Sequence, residues 1–206
     1  MDSASDSSPF PGFEHLYDLN CGISDRPFRA LIPVQNDRME ILRISHAELA
    51  PPHPLRAEWA MGSSRPSDVI GDSGSNSLLL SQRVTTALEH AGVTGWRPFP
   101  ISLTGRKGEP ITGYFLLQIT GRCGPINDSL SEVVQRAMPA RVRPLLKGLY
   151  FDPKTWDGSD VFTIDHKGYI FVTEKVGRVL LKLRASNVRL ERLSESERIP
   201  WPRKDA

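Results

Sequence analysis

The chain has 206 residues, of which 39% are hydrophobic and 24% charged, and its formal net charge is +2. This length suffices for one sizeable core or two small ones, and the composition is ordinary for a globular protein. No apolar run approaches the roughly 18 residues of a membrane span, and the first residues lack the basic and apolar segments of a signal peptide. The two cysteines, Cys21 and Cys123, form no CxxC pair, which disfavours a zinc site or disulfide framework and leaves only a single bridge open. The sequence therefore predicts a cytoplasmic protein that does not associate with a membrane.

Charge is distributed unevenly along the chain. Residues 1–75 hold 11 acids and 6 bases, whereas residues 76–206 hold 13 acids and 20 bases. A basic half could attract nucleic acid or an acidic protein surface. The bases are interspersed with acids, however, and this pattern favours a solvated surface over a nucleic-acid site.

The N-terminal third is predicted to be irregular. Residues 1–12 are rich in Ser, Asp and Pro and are expected to form a flexible arm. Residues 13–65 are expected to form a β-rich portion followed by loop, with strands at 13–19, 29–33 and 39–44. The stretch from 50 to 76 is dense in turn formers and is predicted to be one long loop.

Two later stretches share one design. Leu78 to Leu80, the cap residue Ser81 and an apolar stripe from Val84 to Ala91 predict a strand that runs into an amphipathic helix. The stretch from 169 to 193 repeats this order, with Thr173 as the cap residue and Asn187 suited to the left-handed turn that ends a helix. Caps and stripes are both 92 positions apart, because 173 minus 81 and 176 minus 84 each give 92. The pattern fits either an internal repeat or two ordinary strand–helix–strand units that look alike.

The remaining elements complete the predicted fold. Residues 96–103 and 111–120 are expected to form a hairpin whose return strand is central in a sheet, because it is apolar on both faces. Residues 129–137 resemble a capping box followed by a helical stripe, and strands are expected at 145–151 and 161–164. The fold class predicted is α+β, with a mixed, largely antiparallel sheet and two similar strand–helix–strand units.

Two motifs resemble parts of catalytic or metal sites, but neither is interpreted as such a site. Residues 71–74 spell GDSG, as around the nucleophile of trypsin-like serine proteases, but no histidine stands in that family's Ala-His-Cys setting, and Ser73 is interpreted as a turn residue. The acidic run Asp152, Asp157, Asp160, Asp165 with His166 could hold a metal, yet its spacing fails the calcium-loop pattern and suits turns equally well. We therefore predict no catalytic residue, no metal ligand and no cofactor, with a small metal-dependent enzyme using the 152–166 loop as the alternative.

A series of short motifs in the last third carries a family resemblance. They are Asp152-Pro153, Gly158, Phe162, Phe171-Val172 and Thr173-Glu174. Together they resemble the C-terminal signature of a bacterial immunity-protein family, once a domain of unknown function and later assigned to polymorphic-toxin systems. The 78–91 unit and the 96–120 hairpin are similar to the family's middle portion, so the resemblance covers about residues 66–193. The chain departs from the family in having Thr173 where Ser is frequent and in lacking its usual acidic character.

The resemblance implies that residues 66–206 are an immunity-like α+β domain, packed with the N-terminal portion as one unit. It also implies a non-enzymatic cytoplasmic protein that binds and neutralises one cognate toxin domain by stoichiometric occlusion. A basic nucleic-acid or regulatory binder is a further alternative. Trp156, Asp157 and Asp160 in a loop, with Arg106 and Lys107 at the hairpin tip, are predicted toxin contacts, because planar and charged side chains in loops often anchor interfaces. The competing interpretation of Trp156 is a lid on the core.

Overall fold

A computed structural model describes residues 12–22, 26–33, 38–51, 54–138, 141–164 and 168–199. The helices in these ranges are α1 (Arg38–Ser45), α2 (Gln82–His90) and α3 (Glu174–Leu183). The strands are β1 (Leu16–Cys21), β2 (Arg29–Leu31), β3 (Arg56–Met61), β4 (Val69–Asp72), β5 (Leu78–Ser81), β6 (Trp96–Pro100), β7 (Ser102–Thr104), β8 (Pro110–Ile111), β9 (Tyr114–Ile119), β10 (Gly121–Cys123), β11 (Glu132–Met138), β12 (Arg141–Lys147), β13 (Val161–Ile164), β14 (Phe171–Thr173), β15 (Val188–Arg192) and β16 (Glu197–Arg198). The predicted α+β class with largely antiparallel pairing is confirmed.

The strands form three sheets. One has five strands in the order β10-β13-β14-β1-β15, and a second has eight in the order β6-β9-β5-β4-β2-β3-β7-β8. A third, of β11, β12 and β16, is small. The sequence boundary at residue 65 does not separate two sheets, since β2 lies beside β4, β3 beside β7 and β1 beside β14.

The two larger sheets contain the same five-strand arrangement. In both, an antiparallel pair leads into a helix, and the registers Val69↔Leu80 and Val161↔Val172 differ by 92 on both sides. Ser81 and Thr173 are both N-cap residues, as predicted. The left-handed residues that follow the helices also correspond, because Gly92 and Arg184 are 92 positions apart. The structure thus favours an internal repeat over two unrelated units.

The repeat extends to strands that the sequence pattern did not include. β1 and β9 occupy the same place, each antiparallel to the strand that precedes a helix and to the strand that follows it. Each of them begins its own half of the chain but lies in the sheet of the other half. β2 and β10 are likewise equivalent, each parallel to the next strand of its sheet. The two halves are therefore intertwined.

The buried side chains form three apolar clusters, one between the two larger sheets and one on the outer face of each. The central apolar cluster lies between the two sheets and includes Leu88 of α2 and Leu180 of α3, which are 2% and 3% exposed. The outer face of the eight-stranded sheet packs on α1 through Ile41 and Ile44. The outer face of the five-stranded sheet is covered by an aromatic cluster around Phe151 and Phe162. No helix in the described ranges is long and apolar enough to cross a membrane.

Three predicted elements are wrong. Residues 39–44 belong to α1, because Met, Glu, Leu and Arg favour helix and place Ile41 and Ile44 on one buried face. The predicted loop 50–76 contains β3 and β4; β4 is buried on both faces and so lacks an alternating signal. The predicted helix at 130–137 is mostly β11, whose seven-residue antiparallel pairing with β12 outweighs a short helical stripe that includes the β-branched Val133 and Val134.

Candidate functional site

The loop before β13 carries three of the predicted contact residues. Trp156 is half-buried, its ring centroid lies 5.0 Å from that of Phe162, and its indole N–H donates to the Ser159 carbonyl at 3.2 Å. Asp157 accepts hydrogen bonds from the backbone N–H groups of Arg122 at 2.8 Å and Ser159 at 3.0 Å. Burial by itself would raise the pKa of Asp157, but these hydrogen bonds outweigh it and the pKa is lowered. Both side chains therefore fasten the loop to the five-stranded sheet.

We expect Trp156→Ala to lower the free energy of unfolding by about 2 kcal/mol, because a half-buried ring leaves the aromatic cluster. Urea denaturation measures this loss, with Lys154→Ala in the same loop as an exposed control. Unchanged stability together with weaker toxin binding would instead identify Trp156 as an interface anchor.

Asp160, the third predicted contact in this loop, joins the two halves of the chain. Its carboxylate accepts from the Thr173 hydroxyl at 2.9 Å, from the Lys175 ammonium at 2.9 Å and from the backbone N–H of Thr94 at 3.0 Å. We call this arrangement the Asp160 clasp. Burial opposes ionisation, but these donors outweigh it and lower the pKa of Asp160.

Asp68 forms the equivalent Asp68 clasp. It accepts from the Ser81 hydroxyl at 2.9 Å, from the Arg83 guanidinium at 2.6 Å and from the backbone N–H of Ser186 at 2.8 Å. Asp68, Ser81 and Arg83 stand 92 positions before Asp160, Thr173 and Lys175, whereas Ser186 stands 92 positions after Thr94, because each clasp takes its backbone donor from the other half of the chain. The hydroxyls of Ser81 and Thr173 therefore donate to these carboxylates. Neither side chain forms a hydrogen bond that caps its helix. Asp68 is not among the contacts predicted from the sequence, although its offset of 92 from Asp160 is visible there.

The other predicted contacts lie at the end of the eight-stranded sheet. The Arg106 guanidinium carbon is 5.2 Å from the Trp59 ring centroid, within range of a cation–π contact. Lys107 is exposed, and its backbone N–H donates to the Glu109 carboxylate at 2.8 Å. These two residues connect β7 and β8, whereas the Trp156 loop precedes a strand of the five-stranded sheet. The predicted contacts thus belong to two separate elements.

The motifs considered for catalysis have local roles. Asp72 accepts from the Ile32 backbone N–H at 2.9 Å and from Gly74 at 3.1 Å, and the neighbouring Ser73 is exposed. Asp152 accepts from the Lys154 backbone N–H at 3.0 Å and so caps a 3₁₀ turn. Asp165 and His166 lie outside the described residues. Within the described ranges no three His, Cys, Asp or Glu side chains are grouped as metal ligands.

An apolar groove lies between α3 and the five-stranded sheet. Its volume is about 580 Å³, and we call it the α3 groove. It is lined by Tyr17, Glu174, Gly177, Arg178, Leu180, Leu181, Arg184, Ala185, Val188 and Leu190. Leu181, one of the lining residues, is 71% exposed, the largest exposed fraction among the large hydrophobic side chains in the described ranges.

Two groove residues are locally unfavourable for stability. Gly177 lies inside α3, where glycine costs about 1 kcal/mol relative to alanine. A Cβ at this position would lie 3.4 Å from the Leu190 side chain, so alanine fits with little displacement. Arg184 ends the helix in the left-handed conformation with φ 51°, where a side chain is strained. Neither Gly177 nor Arg184 stabilises the helix, and both line the groove.

The α2 residues that correspond to Gly177, Leu181 and Arg184 differ from them in size, polarity or charge. Thr85 stands 92 positions before Gly177 and is 4% exposed, and its hydroxyl donates to the Gln82 carbonyl. Glu89 stands in the place of Leu181, and Gly92 in the place of Arg184. The apolar and basic lining of the α3 groove is therefore specific to the α3 copy of the repeat.

No protein-family model matches the chain, and no curated protein matches its sequence.

Proposed function

We propose that this chain is an immunity protein that binds and neutralises one cognate toxin domain by stoichiometric occlusion in the cytoplasm. The family resemblance of residues 66–193 suggests the activity, and the α3 groove is the observation that supports a binding role. Concave sites of several hundred Å³ lined by apolar side chains are typical binding sites.

The groove has the composition expected of a protein contact. An exposed leucine, a tyrosine and two arginines surround it, and Tyr and Arg are enriched among the residues that dominate binding energy. The role of a non-enzymatic inhibitor requires only such a surface and a rigid support. The central core supplies that support beneath α3, and the two clasps hold Thr173 before the helix and Ser186 after it.

The proposed contacts extend beyond the groove. Arg106 and Lys107 are exposed and could meet a toxin. Trp156, Asp157 and Asp160 remain proposed contacts, but their side chains also hold the loop and the two halves together. Mutations at these three positions must therefore be judged on stability as well as on binding.

Co-expression with the product of the neighbouring gene tests the function. We expect growth of cells that produce both proteins, growth arrest with the neighbouring product alone, and a one-to-one complex on size-exclusion chromatography. Rescue without a complex would contradict stoichiometric binding and favour the enzymatic alternative.

A further inference from the structure

The charges around the α3 groove do not cancel. Glu174 pairs with Arg178 at 2.9 Å and lies 3.3 Å from the imidazole of His15. Among the described residues, the Arg184 guanidinium has no ion pair. The groove therefore keeps a positive charge at the end of α3, next to an apolar floor.

Glycine at position 177 determines the depth of this floor. The Leu190 side chain lies directly opposite the missing Cβ, and the equivalent place on α2 is filled by the buried Thr85. The α3 groove, with a volume of about 580 Å³, has room for a bulky apolar side chain, and Gly177, Leu181 and Leu190 are among its lining residues.

We infer that the α3 groove is the docking site for a toxin segment that carries a bulky apolar side chain next to a carboxylate. This inference rests on the proposed function. The apolar side chain enters over Gly177 between Leu181 and Leu190, and the carboxylate pairs with Arg184. Arg184 supplies the charge of this site, and Gly177 adds no side chain to its floor.

Affinity for the neighbouring gene product, measured by calorimetry with the full chain, tests the location. We expect Leu181→Glu to weaken binding at least tenfold, because a carboxylate replaces an apolar contact and neutralises the adjacent arginines. Arg184→Asn, which tolerates the left-handed conformation, is expected to weaken binding about fivefold. Thr86→Glu, the same charge on an exposed site of α2, is the matched control and should bind as wild type.

Gly177→Ala separates binding from stability. Alanine favours the helix, so we expect the Tm to rise by about 2–4 °C while binding to the gene product weakens. A purely structural role of this position would give higher stability with unchanged binding, and this result would contradict the inference.

The outcomes distinguish the two proposals. If the gene product binds wild type and Leu181→Glu alike within tenfold, the docking site is wrong and the proposed function stands. If the gene product does not bind wild type at all, the proposed function fails, and a short peptide with a Leu-Trp pair flanked by glutamates tests the groove alone. Amide NMR shifts at Gly177 and Arg184 with this peptide, and at least about fivefold weaker binding of its glutamine counterpart, would support the groove chemistry. Absent shifts, or equal binding of both peptides, would overturn it.

Discussion

Replacing Asp68 with alanine is expected to lower the free energy of unfolding at pH 7 by roughly 3 kcal/mol. The variant removes charge-assisted hydrogen bonds from Arg83, Ser81 and Ser186, each of which contributes about 1 kcal/mol or more. It also removes the hydrogen bonds by which Asp68 holds Ser186, in the turn after α3, to the first half of the chain. Because that turn connects α3 to β15, the groove should lose its shape together with stability.

The pH dependence provides an independent check on Asp68. Burial would raise its pKa, but the hydrogen bonds from Arg83, Ser186 and Ser81 outweigh burial and lower the pKa to about 2. A lowered pKa contributes stability above the unfolded value near 4, and this contribution disappears as the pH falls towards 2. The contribution is about 2 kcal/mol, reduced somewhat by solvent screening.

Urea denaturation of wild type and Asp68→Ala between pH 2 and pH 7 measures this difference. The two proteins should converge at the acidic end, and a gap that does not depend on pH would contradict an ionised clasp. Asp160→Ala is the matched variant, since its carboxylate has equivalent donors in the other half. Glu89→Ala, an exposed position on α2, is the control with little expected effect.

Replacing Asp18 with asparagine is expected to raise the free energy of unfolding at pH 7 by about 2–3 kcal/mol. Asp18 is 8% exposed in β1, and burial raises its pKa to about 6. The amide of Asn20 donates to it at 2.8 Å and lowers the pKa in part, while Glu191 on β15 raises it. An ionised Asp18 therefore opposes folding, and asparagine removes the charge at similar size.

The direction of the pH dependence follows from the raised pKa of Asp18. Below about pH 4 the carboxyl is protonated in both the folded and the unfolded chain, so it imposes no penalty. Between pH 4 and pH 6 the unfolded chain ionises first, and stability falls as the pH rises. The difference between Asp18→Asn and wild type should therefore develop across this interval and then stay constant. A benefit that is already full at pH 4 would contradict the assignment, and Glu191→Gln should shift the interval to lower pH.

The candidate site shows which of its features local sequence patterns can predict. The amphipathic stripes placed α2 and α3 correctly, and the shared spacing of Ser81 and Thr173 left an internal repeat as one of two interpretations, which the strand registers then favoured. Gly177 and Arg184, however, resemble ordinary helix residues in the sequence. Their significance depends on Leu190, on the backbone conformation at the helix end and on comparison with α2, and these are properties of the folded chain.

The sequence by itself determined the α+β class, the positions of α2 and α3 and the central place of β9, because each depends on the periodicity of neighbouring residues. Only the tertiary structure decided that β4 and β11 are strands and that β1 and β9 exchange sheets. Strand pairing joins residues that are distant in the chain, so a short segment adopts the conformation that its partners stabilise. The α3 groove arises from the same cause, since β1 from one half and α3 with β15 from the other enclose it.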